Sequence, residues 1–157
     1  MTINFYTDGA YSSKSEMGGW AAIGLIGNDE NIFFKQEGYE PYTTNNRMEL
    51  TAVLTVLEYV NANKTDAEVT VNIHTDSAYI ANALNDKWYL RWMKNGWKTA
   101  DKKDVKNQDL WSRIISLYIR LISCLEIHII KVDSHSNNEY NNYVDKLAVA
   151  QRKLLEV

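Results

Sequence analysis

The chain has 157 residues, 45% hydrophobic and 24% charged, with 7 Gly, 1 Pro and 1 Cys. That balance predicts a single globular domain over residues 1–157 that can bury a core. It excludes an internal disulfide and, with no run of about 18 apolar residues, a helical membrane span. The net charge of −3 argues against a polyanionic partner, but its distribution argues for one. Lys87 to Lys106 holds seven bases (Lys87, Arg91, Lys94, Lys98, Lys102, Lys103, Lys106) and two acids, a net +5 that leaves −8 elsewhere. A patch of this kind is what polyanions read.

Ile3 to Gly9 alternates apolar and polar residues and ends on an Asp-Gly turn signal. It predicts a strand that stops at Asp8 and presents its carboxylate, followed by a polar loop from Ala10 to Met17. The chain goes straight into this strand with no basic-then-apolar leader, so no secretion signal is expected. Gly19–Ile26 and Asn31–Gln36 read as second and third strands, joined at Gly27-Asn28-Asp29 into an antiparallel meander.

Thr43-Thr44-Asn45-Asn46 supplies helix-starting side chains, and Leu50, Val53, Leu54, Leu57 and Val60 follow at helical spacing. Glu49 is placed in the first turn of this helix, where the dipole favours a carboxylate. Taken alone it is a charge-matched helix start. Val69, Val71 and Ile73 alternate with Thr70, Asn72 and His74 in a fourth strand ending Thr75-Asp76-Ser77, an echo of Thr7-Asp8-Gly9. A helix separates this strand from the meander, so its pairing with the first strand is expected to be parallel. Asp8 and Asp76 then leave the same carboxyl edge of the sheet, the edge where open α/β sheets place their sites. His74 is expected to be packed rather than catalytic.

A helix from about Ser77 to Asn85 leads to the basic segment. There Lys87, Arg91 and Lys94 form one helical stripe, and Trp88 and Trp92 a second beside it. A Trp pair at this spacing suits a core. Interleaved with bases, it also suits stacking beside phosphate contacts, and the charge favours the nucleic-acid reading. Asn107–Ser123 reads as a helix and Leu125–Val132 as a fifth strand, with His128 structural. Cys124 lies in an apolar run and is expected to be a buried thiol, which fits a reducing, cytoplasmic home. A polar loop over Asp133–Asn138 precedes a last helix carrying Asp145 near its start. The order βββ-α-β-ααα-β-α predicts an α/β fold: a five-stranded mixed sheet, three antiparallel strands and then two parallel, flanked by helices.

Thr43-Thr44-Asn45-Asn46-Arg47-Met48-Glu49-Leu50 and Gly96-Trp97-Lys98-Thr99-Ala100-Asp101-Lys102-Lys103 closely resemble type 1 ribonuclease H. Thr7-Asp8-Gly9, Thr75-Asp76-Ser77 and the segment from Val105 to Trp111 follow in family order, so the resemblance runs from Ile3 to about Ala150. It implies the ribonuclease H-like fold and a catalytic set of Asp8, Glu49, Asp76 and Asp145 as metal ligands, with His135 on the loop before the last helix. It also implies two Mg²⁺ ions, with Mn²⁺ as a substitute, and hydrolysis of the RNA strand of RNA/DNA hybrids to 5′-phosphate and 3′-hydroxyl ends. Clustered carboxylates repel one another unless cations neutralise them, and a metal pair about 3.5–4 Å apart both neutralises them and performs the chemistry.

By the same resemblance, Asn45 and Asn46, with the backbone near Gly9 and with Glu49, are expected to read the 2′-hydroxyls that distinguish RNA. Thr44 and Asn107 correspond to a phosphate pocket for the DNA strand. Trp88, Trp92, Lys94 and Lys98 correspond to a basic handle with sequence-independent contacts. The chain departs from the family pattern at His135-Ser136-Asn137-Asn138-Glu139, which lacks a second histidine and a Gly-Pro pair. It departs again at Ser12–Met17, where relatives carry a glycine- and proline-rich loop. Neither change removes a metal ligand. A non-cleaving hybrid-binding module would be expected to lose a carboxylate, and all four are present; a detached reverse-transcriptase domain is a further alternative. No obligate protein partner is implied, and a monomer is expected.

Overall fold

The computed structural model of the chain describes residues 1–64, 68–134 and 137–156. The elements, in order, are β1 (Thr2–Tyr11), β2 (Gly18–Ile26), β3 (Ile32–Glu40), α1 (Asn45–Asn63), β4 (Thr70–Thr75), α2 (Ala78–Asn85), α3 (Trp88–Lys94), α4 (Gln108–Ile122), β5 (Glu126–Lys131) and α5 (Glu139–Lys153). The sheet order is β3-β2-β1-β4-β5. β1, β2 and β3 pair antiparallel, while β4 runs parallel to both β1 and β5. This is the five-stranded mixed α/β sheet that the order of elements predicts.

Alternation along β1 sends side chains to two differently covered faces. Phe5 enters a core with Leu50, Val53, Leu57, Ile73, Ile80, Ile114 and Trp111, roofed by α1 to α4. Tyr6, Ala21, Ile23 and Leu25 meet Val144 and Ala148 of α5 on the opposite face. Complete burial of each large apolar side chain contributes about 1.5–3 kcal/mol, so the larger cluster anchors the fold and α5 closes it from behind. Close approach of α5 depends on Gly19, where a Cβ would stand 2.2 Å from the Ala148 carbonyl oxygen. Among the described residues no helix is long and apolar enough to cross a membrane.

Several local expectations give way. β1 does not stop at Asp8-Gly9 but continues to Tyr11, because Asp8 pairs with Ala21 and Gly9 with Trp20 in the hairpin ladder. The turn falls instead at residues 12–17, closed by Ser12 N–H to Met17 O at 3.0 Å and Glu16 N–H to Ser12 O at 2.7 Å. β3 likewise runs on to Glu40. Cys124 is exposed rather than buried: it follows the end of α4, where its Sγ lies 3.5 Å from the Leu121 carbonyl oxygen. His128 is an exposed side chain beside Glu126, Nε2 to Oε1 2.9 Å. His74 is packed as expected, its ring stacked on Tyr6 with centroids 4.3 Å apart.

Candidate active site

The carboxylates meet where two paired strands separate. β1 and β4 stay in register from Thr2 opposite Thr70 to Tyr6 opposite His74, and Asp8 and Asp76 each stand two residues past that last pair. The period of two puts both on one face. Thr7 ties the fork, its hydroxyl donating to the His74 carbonyl at 2.9 Å. Asp8 is 4% exposed and accepts from the Gly9 N–H at 2.9 Å.

Glu49 reaches the same point from α1. Thr44 is the N-cap, its hydroxyl accepting from Arg47 N–H, so Glu49 is the fifth helical residue and not part of the first turn. The first-turn dipole therefore does not account for it. It lies on the face turned to the sheet and is 3% exposed. One ligand oxygen from each of Asp8, Glu49 and Asp76 lies within 4.8 Å of the others. Asp145, exposed on α5, joins Asp8, Asp76 and Ser134 along the same cleft.

Burial, then the charge of Asp76, then contact with Asp145 push the Asp8 carboxyl up to about 8. Burial, reinforced by Asp8 and Asp76, holds Glu49 well above the usual carboxylate range. Glu49 Oε2 is buried with no hydrogen-bond partner among the described residues, and leaving such an oxygen unsatisfied is costly. Hard oxygen donors, a buried unsatisfied carboxylate and mutual repulsion together fit a divalent cation. Asp8, Glu49 and Asp76 would hold it, with Asp145 at the open side.

An open cleft of about 450 Å³ connects this cluster to exposed Asn45 and Asn46 at the start of α1 and to Gly9, Ser77, Tyr79 and Ser134. The residues expected to read the RNA strand thus share a wall with the acids. Thr44 and Asn107 are brought into one neighbourhood through Arg47, whose Nη1 donates to Asn107 Oδ1 at 3.2 Å. Arg47 also forms a forked ion pair with Asp109, 3.0 and 2.8 Å, and this bond holds the Asp109 carboxyl down at about 2. Neither Arg47 nor Asp109 stands out in the sequence. They are 62 positions apart, and only the packing of α1 on α4 joins them.

The handle is less open than its spacing suggests. Trp92 is 6% exposed, packed against Trp88, Trp97 and Trp111 at ring separations of 6.4, 5.8 and 5.3 Å. Its faces are covered by protein, so this indole is a core residue and not a stacking platform. Trp88 is half-buried beside it. Lys94 is exposed, whereas Lys98 is paired with Asp104 across a short β-bridge. His135 lies outside the described residues.

The RNase H family matches this chain over residues 1–153. A ribonuclease H of Chlorobaculum parvum is 44% identical over 147 residues, 94% of this chain and 92% of the relative. One from Acetivibrio thermocellus is 44% identical over 151 residues, covering 96% and 95%. Among solved structures, a type 1 RNase H with the type 2 active-site motif superposes with a TM-score of 0.76 at 24% identity, over 96% of this chain and 72% of that one. The PFV RNase H domain gives 0.75 at 23%, over 97% and 94%. At these identities the two structures speak for the fold alone.

Proposed function

The chain belongs to the ribonuclease H family, and from that membership we infer that it is a metal-dependent endonuclease hydrolysing the RNA strand of RNA/DNA hybrids. One observation carries the reading: Asp8, Glu49 and Asp76 converge within 4.8 Å in a cleft that Asn45 and Asn46 also line. Two Mg²⁺ ions, with Mn²⁺ as a substitute, would supply activation of the attacking water and stabilisation of charge at the leaving 3′ oxygen. The P–O3′ bond breaks as the new P–O bond forms, leaving 5′-phosphate and 3′-hydroxyl ends.

The protein's own contribution is placement. Asp8, in a ladder that continues on both sides of it, is held rigidly between the Glu49 side and the Asp76 side, which suits a shared ligand. Asp145 closes the outer side from α5. Asn45 and Asn46 offer both donors and acceptors, which is what a 2′-hydroxyl requires, and their place beside the acids aligns an RNA strand with the scissile phosphate. Gly9 adds a backbone without a side chain at the same wall. Thr44 and Asn107 receive a phosphate of the DNA strand, and Lys94, Lys98 and the open edge of Trp88 extend that contact along the duplex. His135 assists proton transfer or product release. The protein acts as a monomer in the cytoplasm, without an obligate protein partner.

The test is cleavage of a labelled hybrid with Mg²⁺, beside EDTA and Asp8→Asn controls and duplex RNA and duplex DNA of the same sequence. Cutting confined to the hybrid and dependent on both metal and Asp8 is expected. Binding without cutting would make the protein a hybrid-binding module. Cutting of duplex DNA would refute the 2′-hydroxyl role of Asn45 and Asn46.

A further inference from the structure

Arg47 joins the two halves of the DNA-strand pocket. Its backbone N–H donates to Thr44 Oγ1 at 3.1 Å. Its guanidinium reaches α4, giving Nη1 to Asn107 Oδ1 at 3.2 Å and to Asp109 Oδ1 at 3.0 Å, and Nη2 to Asp109 Oδ2 at 2.8 Å. Asn107 precedes α4 with φ +61° and makes no side-chain cap to that helix, so helix capping places no demand on its amide.

The chemistry of that contact sets a direction. A guanidinium carries donors only, so the Asn107 amide must turn its oxygen toward Arg47, and its NH₂ is left for other acceptors. A phosphate oxygen accepts and never donates; an Asn107 amide turned the other way would present it with an oxygen. The fork with Asp109 fixes the guanidinium plane and neutralises its charge, so Arg47 acts through Asn107 and is not itself the phosphate ligand.

We propose that Arg47 is a positioning residue: it locks the Asn107 amide with the NH₂ directed to a DNA-strand phosphate. The proposal rests on the reading of Asn107 as a phosphate contact.

The experiment is a double-mutant cycle between Arg47→Lys and Asn107→Ala. KM and kcat are read on an RNA/DNA hybrid with Mg²⁺. Kd for the same hybrid is read on an Asp8→Asn background, where it is not consumed. Losing one oriented hydrogen bond is expected to raise KM and Kd by about threefold to tenfold in Arg47→Lys, with kcat at saturation unchanged. In the Asn107→Ala background, Arg47→Lys should add nothing further. Asn107→Asp keeps an acceptor for Arg47 and hence the fold, but has no NH₂; it should raise KM at least as much. Urea unfolding of each variant shows that it is folded under assay conditions. An unchanged KM in Arg47→Lys, additive effects in the cycle, or normal hybrid binding by Asn107→Asp would each overturn the proposal. Those results with wild-type cleavage intact would leave the nuclease reading standing. Hybrid binding without cleavage would sink the nuclease reading, and the Kd cycle would still decide the role of Arg47.

Discussion

A Cβ on Gly9 would stand 2.6 Å from the backbone nitrogen of Glu49, with the Met48 carbonyl carbon at 2.8 Å. α1 therefore rests directly on the strand that carries Asp8, and the obstructing atoms belong to backbone that no rotamer change can clear. Gly9→Ala is expected to force the helix outward and separate Glu49 from Asp8. The cost should be about 1–3 kcal/mol of stability, with a drop in kcat of at least about tenfold because ligand placement is sensitive at the ångström scale. Urea unfolding and hybrid cleavage on one preparation measure both. Wild-type kcat in this variant would show that the close contact does not position Glu49.

Asp8→Asn separates stability from function. Asp8 is 4% exposed and lies among carboxylates that raise its pKa after burial has already done so. Removing its charge relieves that repulsion in the metal-free protein, for an expected gain of about 1–3 kcal/mol near pH 8. Cleavage should fall at least about 10³-fold if Asp8 holds metal as proposed, because the acid cluster would lose one of its ligands. Thermal melts in EDTA beside hybrid assays give both numbers; a less stable Asp8→Asn protein would contradict the electrostatic account.

The same groups predict a pH signature. Asp8 and Glu49 have folded-state values raised above their ordinary 3.8 and 4.5, Asp8 to about 8. The folded protein thus binds more protons than the unfolded chain across that interval, and stability falls as pH rises. Metal-free protein should lose stability progressively from about pH 4 to about pH 8. Saturating Mg²⁺ should flatten the decline, since the cation takes the place of the protons. Denaturation midpoints against pH, with and without metal, test this, and a metal-independent profile would count against the acid cluster as the binding site.

Trp92 and Lys94, two positions apart, should behave as opposites. Trp92→Ala opens the aromatic core and is expected to cost about 3–5 kcal/mol. Lys94→Ala should leave stability within about 0.5 kcal/mol while reducing the slope of log Kd against log salt by about 0.7–0.9, the share of one phosphate contact. A salt slope unchanged in Lys94→Ala would remove it from the interface.

Periodicity exposed most of the architecture. The two-residue alternation of β1 and β4 and the helical spacing from Leu50 to Val60 follow from burial on one face, which a linear pattern records. Long-range matching is not recorded. Asp8-Gly9 has the composition of a turn, yet the β2 ladder carries β1 past it to Tyr11. Trp92 sits at a spacing suited to either a ligand or a core, and Trp111, 19 residues on, decides for the core. Cys124 follows apolar residues but falls past the helix end that would have buried it. Asp8, Asp76 and Glu49 were legible because Thr7-Asp8-Gly9 and Thr75-Asp76-Ser77 echo each other after alternating residues and Glu49 lies within a distinctive segment. Arg47 and Asp109 were not, because their pairing exists only once α1 lies against α4.

The acidic cleft draws on β1, α1, the end of β4 and α5, and the last of these is the final helix of the chain. Asp145 follows directly on Val144, which with Ala148 seats α5 on the sheet. Without that helix, β1, α1 and β4 can gather three acids but have neither the fourth nor the back wall that holds Tyr6 and Ile23. Any change that loosens α5 from the sheet should therefore remove an acid and the back wall together, so detachment of this one helix and loss of cleavage are a single event.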